Sequence, residues 1–292
     1  MARRVSDRKS TPDAEESPSG LLERTLGVLE LLAENAAGMQ LFEIAERLGI
    51  PRSATHRLLI SLMEHGYVRQ ERTQGTYQLT AKITSLAFTF LARSGITDFA
   101  QPVLDRLAAE CGELVRLGVI SGKDLLWVAK AQGSPYGLRY DPDMGQIARL
   151  SCSASGHAWL SCLSDEEALS LVRAQGFGSR SEYGPRAPET EEALLRYLRK
   201  ARKRGFGIVM QAYTLWANAI AVPIRHPKTQ EVSGVISAAG PAVRFTEERM
   251  LAFSSSMVAA ARELSLTPTT AMAQLGQATA ASLAKQSVPS AA

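Results

Sequence analysis

What this 292-residue chain lacks narrows the field first. No stretch reaches the roughly 18 uninterrupted apolar residues that a membrane span needs, so no membrane partner is expected. Three cysteines, Cys111, Cys152 and Cys162, are too few and too scattered for a disulfide framework. The opening, MARRVSDRKSTPDAEESPSG, has no apolar core of the kind a secretory signal carries. Together these absences lead us to expect a cytoplasmic protein. The four histidines, His56, His65, His157 and His226, form no metal-ligand spacing with the cysteines. No Gly-rich phosphate loop or dinucleotide fingerprint occurs. Neither metal nor cofactor is expected. Aromatic residues make up 6%, and Trp127, Trp159 and Trp216 are too dispersed for a base-stacking platform; Trp159 is expected in a core.

What is present is ordinary for a globular protein, at 45% hydrophobic and 21% charged residues, and the length favours two domains. The net charge of +4 permits nucleic acid as a partner without proving it. Residues 20–80 hold six arginines and no lysine against seven glutamates, so that segment is not basic overall. The basic run RYLRKARKRG (196–205) reads more readily as a solvated helix face than as a nucleic-acid patch.

Residues 1–19 are polar and rich in Ser, Pro and charge of both signs, the composition of a disordered lead-in, and 267–292 reads as a loose tail. Apolar periodicity predicts a helix over 21–35 through Leu22, Leu26, Leu29 and Leu32. A second helix over 41–48 has Phe42, Ile44, Ala45 and Leu48 inward, and a third from Arg52 buries Ala54, Leu58, Leu59 and Leu62 until Gly66. YVRQERTQGTYQLT (67–80) reads as a hairpin around Gly75. Three helices and a hairpin over 20–80 make a winged helix-turn-helix, its motif at about 41–60. Residues 81–95 form a connector helix. The remainder, 96–266, alternates helices (98–111, 155–162, 165–174, 189–205, 247–264) with strands (114–120, 125–131, 220–224, 232–238). The fold class is α+β, with helices expected over one face of an antiparallel sheet.

A helix-turn-helix braces its recognition helix with the helix before it, which needs a small residue at the crossing and Gly at the turn. Ala45 and Gly49 stand there, and Leu58 closes the core. The outward face of the third helix is expected to present Arg52, Ser53, Thr55, His56 and Arg57, where Arg suits guanine and Ser or Thr suits phosphates or base edges. On the hairpin, Arg69, Arg72, Gln74 and Thr76 are candidates for the DNA backbone or minor groove. Arg3, Arg4, Arg8 and Lys9 would add an electrostatic arm.

QLFEIAERLGIPRSATHRLLISLMEHGYVRQ (40–70) with GTYQLT resembles the IclR family of bacterial transcription regulators. The resemblance continues at LSCSASGHAWLSCL (150–163), RKRGFGIVMQAYTLWANAIAVPI (202–224) and VSGVISAAGPAVRF (232–245), covering roughly 20–266. It implies a winged-helix domain joined to a GAF-like effector-binding domain. It also implies dimers or dimers of dimers on palindromic double-stranded operators, with a small-molecule effector.

The resemblance places the pocket at three segments: Ser153, Ala154 and Ser155 before Gly156, the segment after Gly205-Phe206, and the strand carrying Ser237. Members that take small polar carboxylates carry an acidic run in the second segment, then a Cys, and two serines in the third. Here Val209, Met210, Gln211 and Ala212 replace the acidic run, Trp216 a Gly, Ala219 the Cys, and Ala239 one serine. A buried polar group without a partner costs about 1–3 kcal/mol, so a tiny oxo-acid fits this set poorly. Val209, Met210, Tyr213, Trp216, Ala219 and Ala239 instead suit an aromatic or otherwise apolar effector body. A carboxylate stays compatible with the backbone donors at Ala154 and Ser155.

Two alternatives remain open: a GAF-like domain that turns over its ligand, and one used only for assembly. The pair Cys152 and His157 raises a nucleophile, but a small core cysteine and an exposed histidine are the expectation.

Overall fold

The computed structural model describes residues 20–134, 136–142, 145–178 and 181–266. The basic residues of 1–19 and the tail 267–292 lie outside them. The chain divides into two compact units, one ending at Phe90 and the other beginning at Leu91.

The first unit opens with α1 (Leu21–Glu34), α2 (Leu41–Arg47) and α3 (Arg52–Glu64). Strands β1 (Val68–Gln70) and β2 (Tyr77–Leu79) follow as an antiparallel pair in which Arg69 faces Gln78. Val28, Leu32, Ile44, Leu58, Leu59, Leu62, Val68 and Tyr77 close one core. Gly49 takes φ +61° at the turn between α2 and α3, a left-handed conformation that glycine adopts without strain. Ala45 is buried nearby, and its carbonyl accepts from the Ile50 N–H. Phe42, expected inward, is exposed, as are Leu22 and Leu26 of the apolar period. The core of so small a unit is filled by Val28, Leu32 and Ile44, and the wider apolar stripe is left over. Ala54 is half-buried. The connector is α4 (Ala81–Ser94), whose residues span the division between the units.

The second unit comprises α5 (Ile96–Cys111), β3 (Leu114–Ser121), β4 (Asp124–Gln132), α6 (Ala154–Leu160), α7 (Asp165–Gln175) and α8 (Glu191–Arg204). It ends with β5 (Gly207–Met210), β6 (Ala217–Arg225), β7 (Val232–Pro241) and α9 (Glu247–Ser265). The five strands form an antiparallel sheet in the order β4-β3-β7-β6-β5. β5 has four residues and follows directly on the left-handed Gly205, too short a run for periodicity to reveal.

Helices cover both faces of the sheet, not one. Val115, Leu117, Val222, Ile236 and Ala238 meet α5 and α9, while Trp127, Val209, Ala221 and Val235 meet α6, α7 and α8. Alternation along apolar strands buries both faces, the pattern of a three-layer domain.

Candidate nucleic-acid interface and ligand cavity

In the first unit, α3 splits by helical period. Leu58, Leu59 and Leu62 enter the core, and Arg52, Ser53, His56 and Arg57 stand exposed on the opposite side. Among the described residues, Arg52 and Arg57 make no ion pair, and the first turn of α3 holds no acid. Two unneutralised guanidinium groups therefore flank the positive end of the helix dipole. Thr55 corrects the expectation: it is 0% exposed, its hydroxyl donating to the Pro51 carbonyl at 3.2 Å. It belongs to the buried stripe with Leu58, Leu59 and Leu62.

On the hairpin, Arg69 is exposed and donates to the Gln78 side-chain oxygen at 2.9 Å. Arg72 and Gln74 are exposed in the turn. Glu71 shapes that turn by accepting from the Thr73 N–H at 3.0 Å and from the Gln74 N–H; these bonds hold its pKa below the usual carboxylate range. Thr76 is half-buried with its hydroxyl turned inward, so it does not join the exposed set.

In the second unit a cavity lies between the sheet and the start of α6. The space between its lining atoms is about 390 Å³ with the solvent at its mouth counted, of which about 30 Å³ admits the centre of a water molecule. Ser153, Ala154, Ser155, Val209, Tyr213, Ala219, Ser237 and Ala239 line it. Register explains the gathering: Val209, Ala219 and Ala239 occupy one row across β5, β6 and β7, and Ser237 stands in the next. Ser153 caps α6 by accepting from the Gly156 N–H at 3.0 Å. Gly156 is required there, because a methyl group would collide with the Leu150 backbone. That close approach seats the first turn of α6, with the backbone donors of Ala154 and Ser155, over the sheet.

Two expected members are elsewhere. Met210 alternates to the opposite side of β5 and packs against the core of α5 and α9. Trp216 is 74% exposed, in the turn before β6. Neither lines this cavity.

The structure adds residues that the sequence reading missed: Arg116, Trp127, Tyr140, Ala217 and Asn218. Asn218 is satisfied, donating to the Phe245 carbonyl at 2.8 Å and accepting from the Gln211 N–H at 3.0 Å. Arg116 is not: it is 6% exposed and makes no hydrogen bond or ion pair among the described residues, its guanidinium lying 3.6 Å from the Trp127 ring centroid. Burial pushes its pKa down, although guanidinium stays protonated in proteins. Burial also pushes the Tyr140 hydroxyl up to about 12.

A β-bulge brings Trp127 to the arginine. The β3–β4 register shifts between Leu117 and Gly118, so Leu117 faces Ala129 and Gly118 faces Trp127, with Val128 left over. The extra residue breaks alternation: Ala129 and Ala131 join one core and Trp127 the other. The signal that was legible was Arg116 itself, the single charge in LVRLGVIS.

The Cys152–His157 pair is inert. His157 is buried rather than exposed, its Nε2 bonded to the Ser151 carbonyl at 2.7 Å, and burial pushes its pKa down to about 4. The Cys152 thiol is pushed up to about 12 by burial and stays protonated. Trp159 is buried in the core. In the basic run, Arg202 pairs with Asp165 and Arg204 with Glu247 at the surface. Among the described residues no group of His, Cys, Asp and Glu could hold a metal, and no helix is long and apolar enough to cross a membrane.

Comparison with known proteins gives a consistent result. Residues 88–266 match the model for the bacterial transcriptional regulator IclR C-terminal domain, and 21–72 match the IclR helix-turn-helix domain. The transcriptional repressor IclR of Escherichia coli is 28% identical over 247 residues, covering 84% of this chain and 88% of that protein. The HTH-type transcriptional regulator BhcR of Paracoccus denitrificans is 30% identical over 247 residues, covering 84% and 85%. Among solved structures, the IclR transcriptional regulator from Alicyclobacillus acidocaldarius has a TM-score of 0.72 at 21% identity, covering 84% of this chain and 96% of that one. An IclR homolog from Microbacterium hydrocarbonoxydans, solved in complex with 4-hydroxybenzoate, has a TM-score of 0.67 at 22% identity, covering 84% and 99%.

Proposed function

The chain belongs to the IclR family of bacterial transcriptional regulators, and from that premise we propose an effector-controlled regulator whose α3 reads a palindromic operator. The observation that carries the DNA reading is the exposed, unpaired set Arg52, Ser53, His56 and Arg57 at the start of α3. Arg69, Arg72 and Gln74 on the hairpin add contacts to the duplex backbone. Two protomers supply two recognition helices for two half-sites. The exposed Leu21, Leu22 and Leu26 on α1 support self-association, since apolar side chains grouped on one helix favour a partner.

The effector has an aromatic or otherwise apolar body and occupies the cavity of the second unit. The row Val209–Ala219–Ala239 and the Trp127 ring support this, as does the 4-hydroxybenzoate complex of a relative with the same fold. The ligand acts by binding the DNA-competent and DNA-incompetent states unequally, so operator and effector change each other's affinity by the same factor. Turnover is not part of this reading, because the Cys152 thiol is held protonated and His157 is neutral and buried.

The test is selection of bound duplexes from a random pool by the full-length protein. The enriched sequence is then titrated with and without aromatic acids. A palindromic consensus whose affinity shifts with one of them is expected. Recovery of no consensus would remove the regulator reading, and consumption of the added acid would favour an enzyme.

A further inference from the structure

We propose that Arg116 recognises the effector as a monoanion, its guanidinium holding one carboxylate while Ser237 and Trp127 donate beside it. This rests on the cavity being the effector site and names the charge and headgroup that the site selects.

Three buried side-chain atoms that line or face the cavity have no hydrogen-bond partner among the described residues: Arg116 Nε, Trp127 Nε1 and Ser237 Oγ. Their positions are linked by register, since Arg116 on β3 is the cross-strand partner of Ser237 on β7. Trp127 is stacked on the guanidinium. An indole N–H and a guanidinium can only donate, and a hydroxyl can donate. A complement to this set must therefore supply acceptor lone pairs, which an ammonium group or an alkyl chain does not offer.

Charge narrows the complement. Among the described residues of the second unit, Glu113 is also buried, 1% exposed, but it accepts from Arg244 Nε at 2.6 Å and Arg244 Nη2 at 2.9 Å. Among the described residues, the buried carboxylate thus has a fork and the buried fork has no carboxylate. The acid nearest in the electrostatics of Arg116, Asp141, is committed to Lys130 at 2.7 Å. One uncompensated positive charge matches a monoanion, and a planar carboxylate matches the guanidinium edge in two parallel bonds. The Trp127 ring centroid lies 3.6 Å from the guanidinium carbon, and the Arg116 Nε–H has no partner among the described residues. Next to this polar corner, Val209, Ala219 and Ala239 offer no side-chain donor, so the part of the ligand against that row is apolar.

The experiment measures binding of benzoate, benzamide, phenylacetate, phenylacetamide and phenyl phosphate to the full-length protein by calorimetry. It is repeated with Arg116→Met and Arg116→Lys. In the wild type, carboxylates should bind at least 30-fold more tightly than their amides and more tightly than phenyl phosphate. Arg116→Met should erase that preference, and Arg116→Lys should keep part of it. A second reading needs no ligand: melting of the Arg116→Met protein should match or exceed that of the wild type, because an uncompensated buried charge is removed.

Equal binding of acids and amides overturns the proposal while leaving the cavity as the effector site. So does retention of the acid preference in Arg116→Met, or tighter binding of the phosphate. A melting temperature lowered by Arg116→Met would make the arginine structural and also overturns it. Binding by none of the five compounds would remove the cavity reading and this one together.

Discussion

Helix α3 and the cavity use polar side chains in opposite ways. On α3 Arg52, Ser53, His56 and Arg57 face solvent, and the two guanidinium groups are hydrated. In the cavity, Arg116, Trp127 and Ser237 keep unpaired donors inside the protein. A hydrated guanidinium contributes almost nothing to folding, whereas a buried unpaired one opposes it. Substitutions on α3 should therefore change DNA binding at constant stability, and those around the cavity should change stability and ligand binding together.

The strongest break of that comparison is Gly156→Ala. The added methyl meets the Leu150 backbone rather than a movable side chain, so α6 must shift or the second unit must loosen. A loss of about 3 kcal/mol or more is expected from such overpacking. Thermal unfolding followed by circular dichroism checks it, and an unchanged midpoint would mean that α6 seats more loosely than described.

How much of this was legible differs between the two regions for physical reasons. On α3 the period of 3.6 separates Arg52, Ser53, His56 and Arg57 from Leu58, Leu59 and Leu62. It also places Thr55 with the leucines, at i, i+3, i+4 and i+7; reading the residue as polar, hence outward, overrode its position. In the cavity the apolar row was visible in outline because resemblance located its segments. Met210 was misplaced although alternation from Val209 puts it on the other side of β5. Arg116 needed two facts that no local pattern carries: that β3 pairs with β7, over 100 residues away, and that a bulge at Val128 turns Trp127 toward it.

His157 gives the next largest effect and sharpens the same contrast, because its buried ring is held neutral. Burial depresses its pKa to about 4 from an ordinary 6.5. Between those values the unfolded chain binds a proton that the folded one does not, so stability is full above about pH 6.5 and falls as pH drops toward 4. The slope approaches ~1.4 kcal/mol per pH unit, and the whole loss is about 3 kcal/mol. Urea unfolding at pH 7 and pH 4.5 should show a steeper loss in the wild type than in His157→Gln. Parallel losses would show that His157 is not the group responsible.

Arg57→Ala probes the hydrated side of the comparison. Operator affinity should weaken by about 1–3 kcal/mol with specificity relaxed at one base position. The melting temperature and the affinity for benzoate should stay where they are. A shift in melting would mean that the exposed guanidinium supports the fold after all.

The smallest effect belongs to the hairpin. Arg72 is exposed in the turn and makes no ion pair among the described residues, so in a complex it would meet a phosphate rather than a base. Such a contact releases about one counterion. Arg72→Ala should then lower the slope of log affinity against log salt by about 0.9, weaken binding evenly across operator sequences, and leave the consensus as it was. Titrations at three salt concentrations on the selected operator and a scrambled duplex separate the outcomes. Loss confined to the operator would make Arg72 a reader of sequence, and the hairpin would then join α3 in specificity.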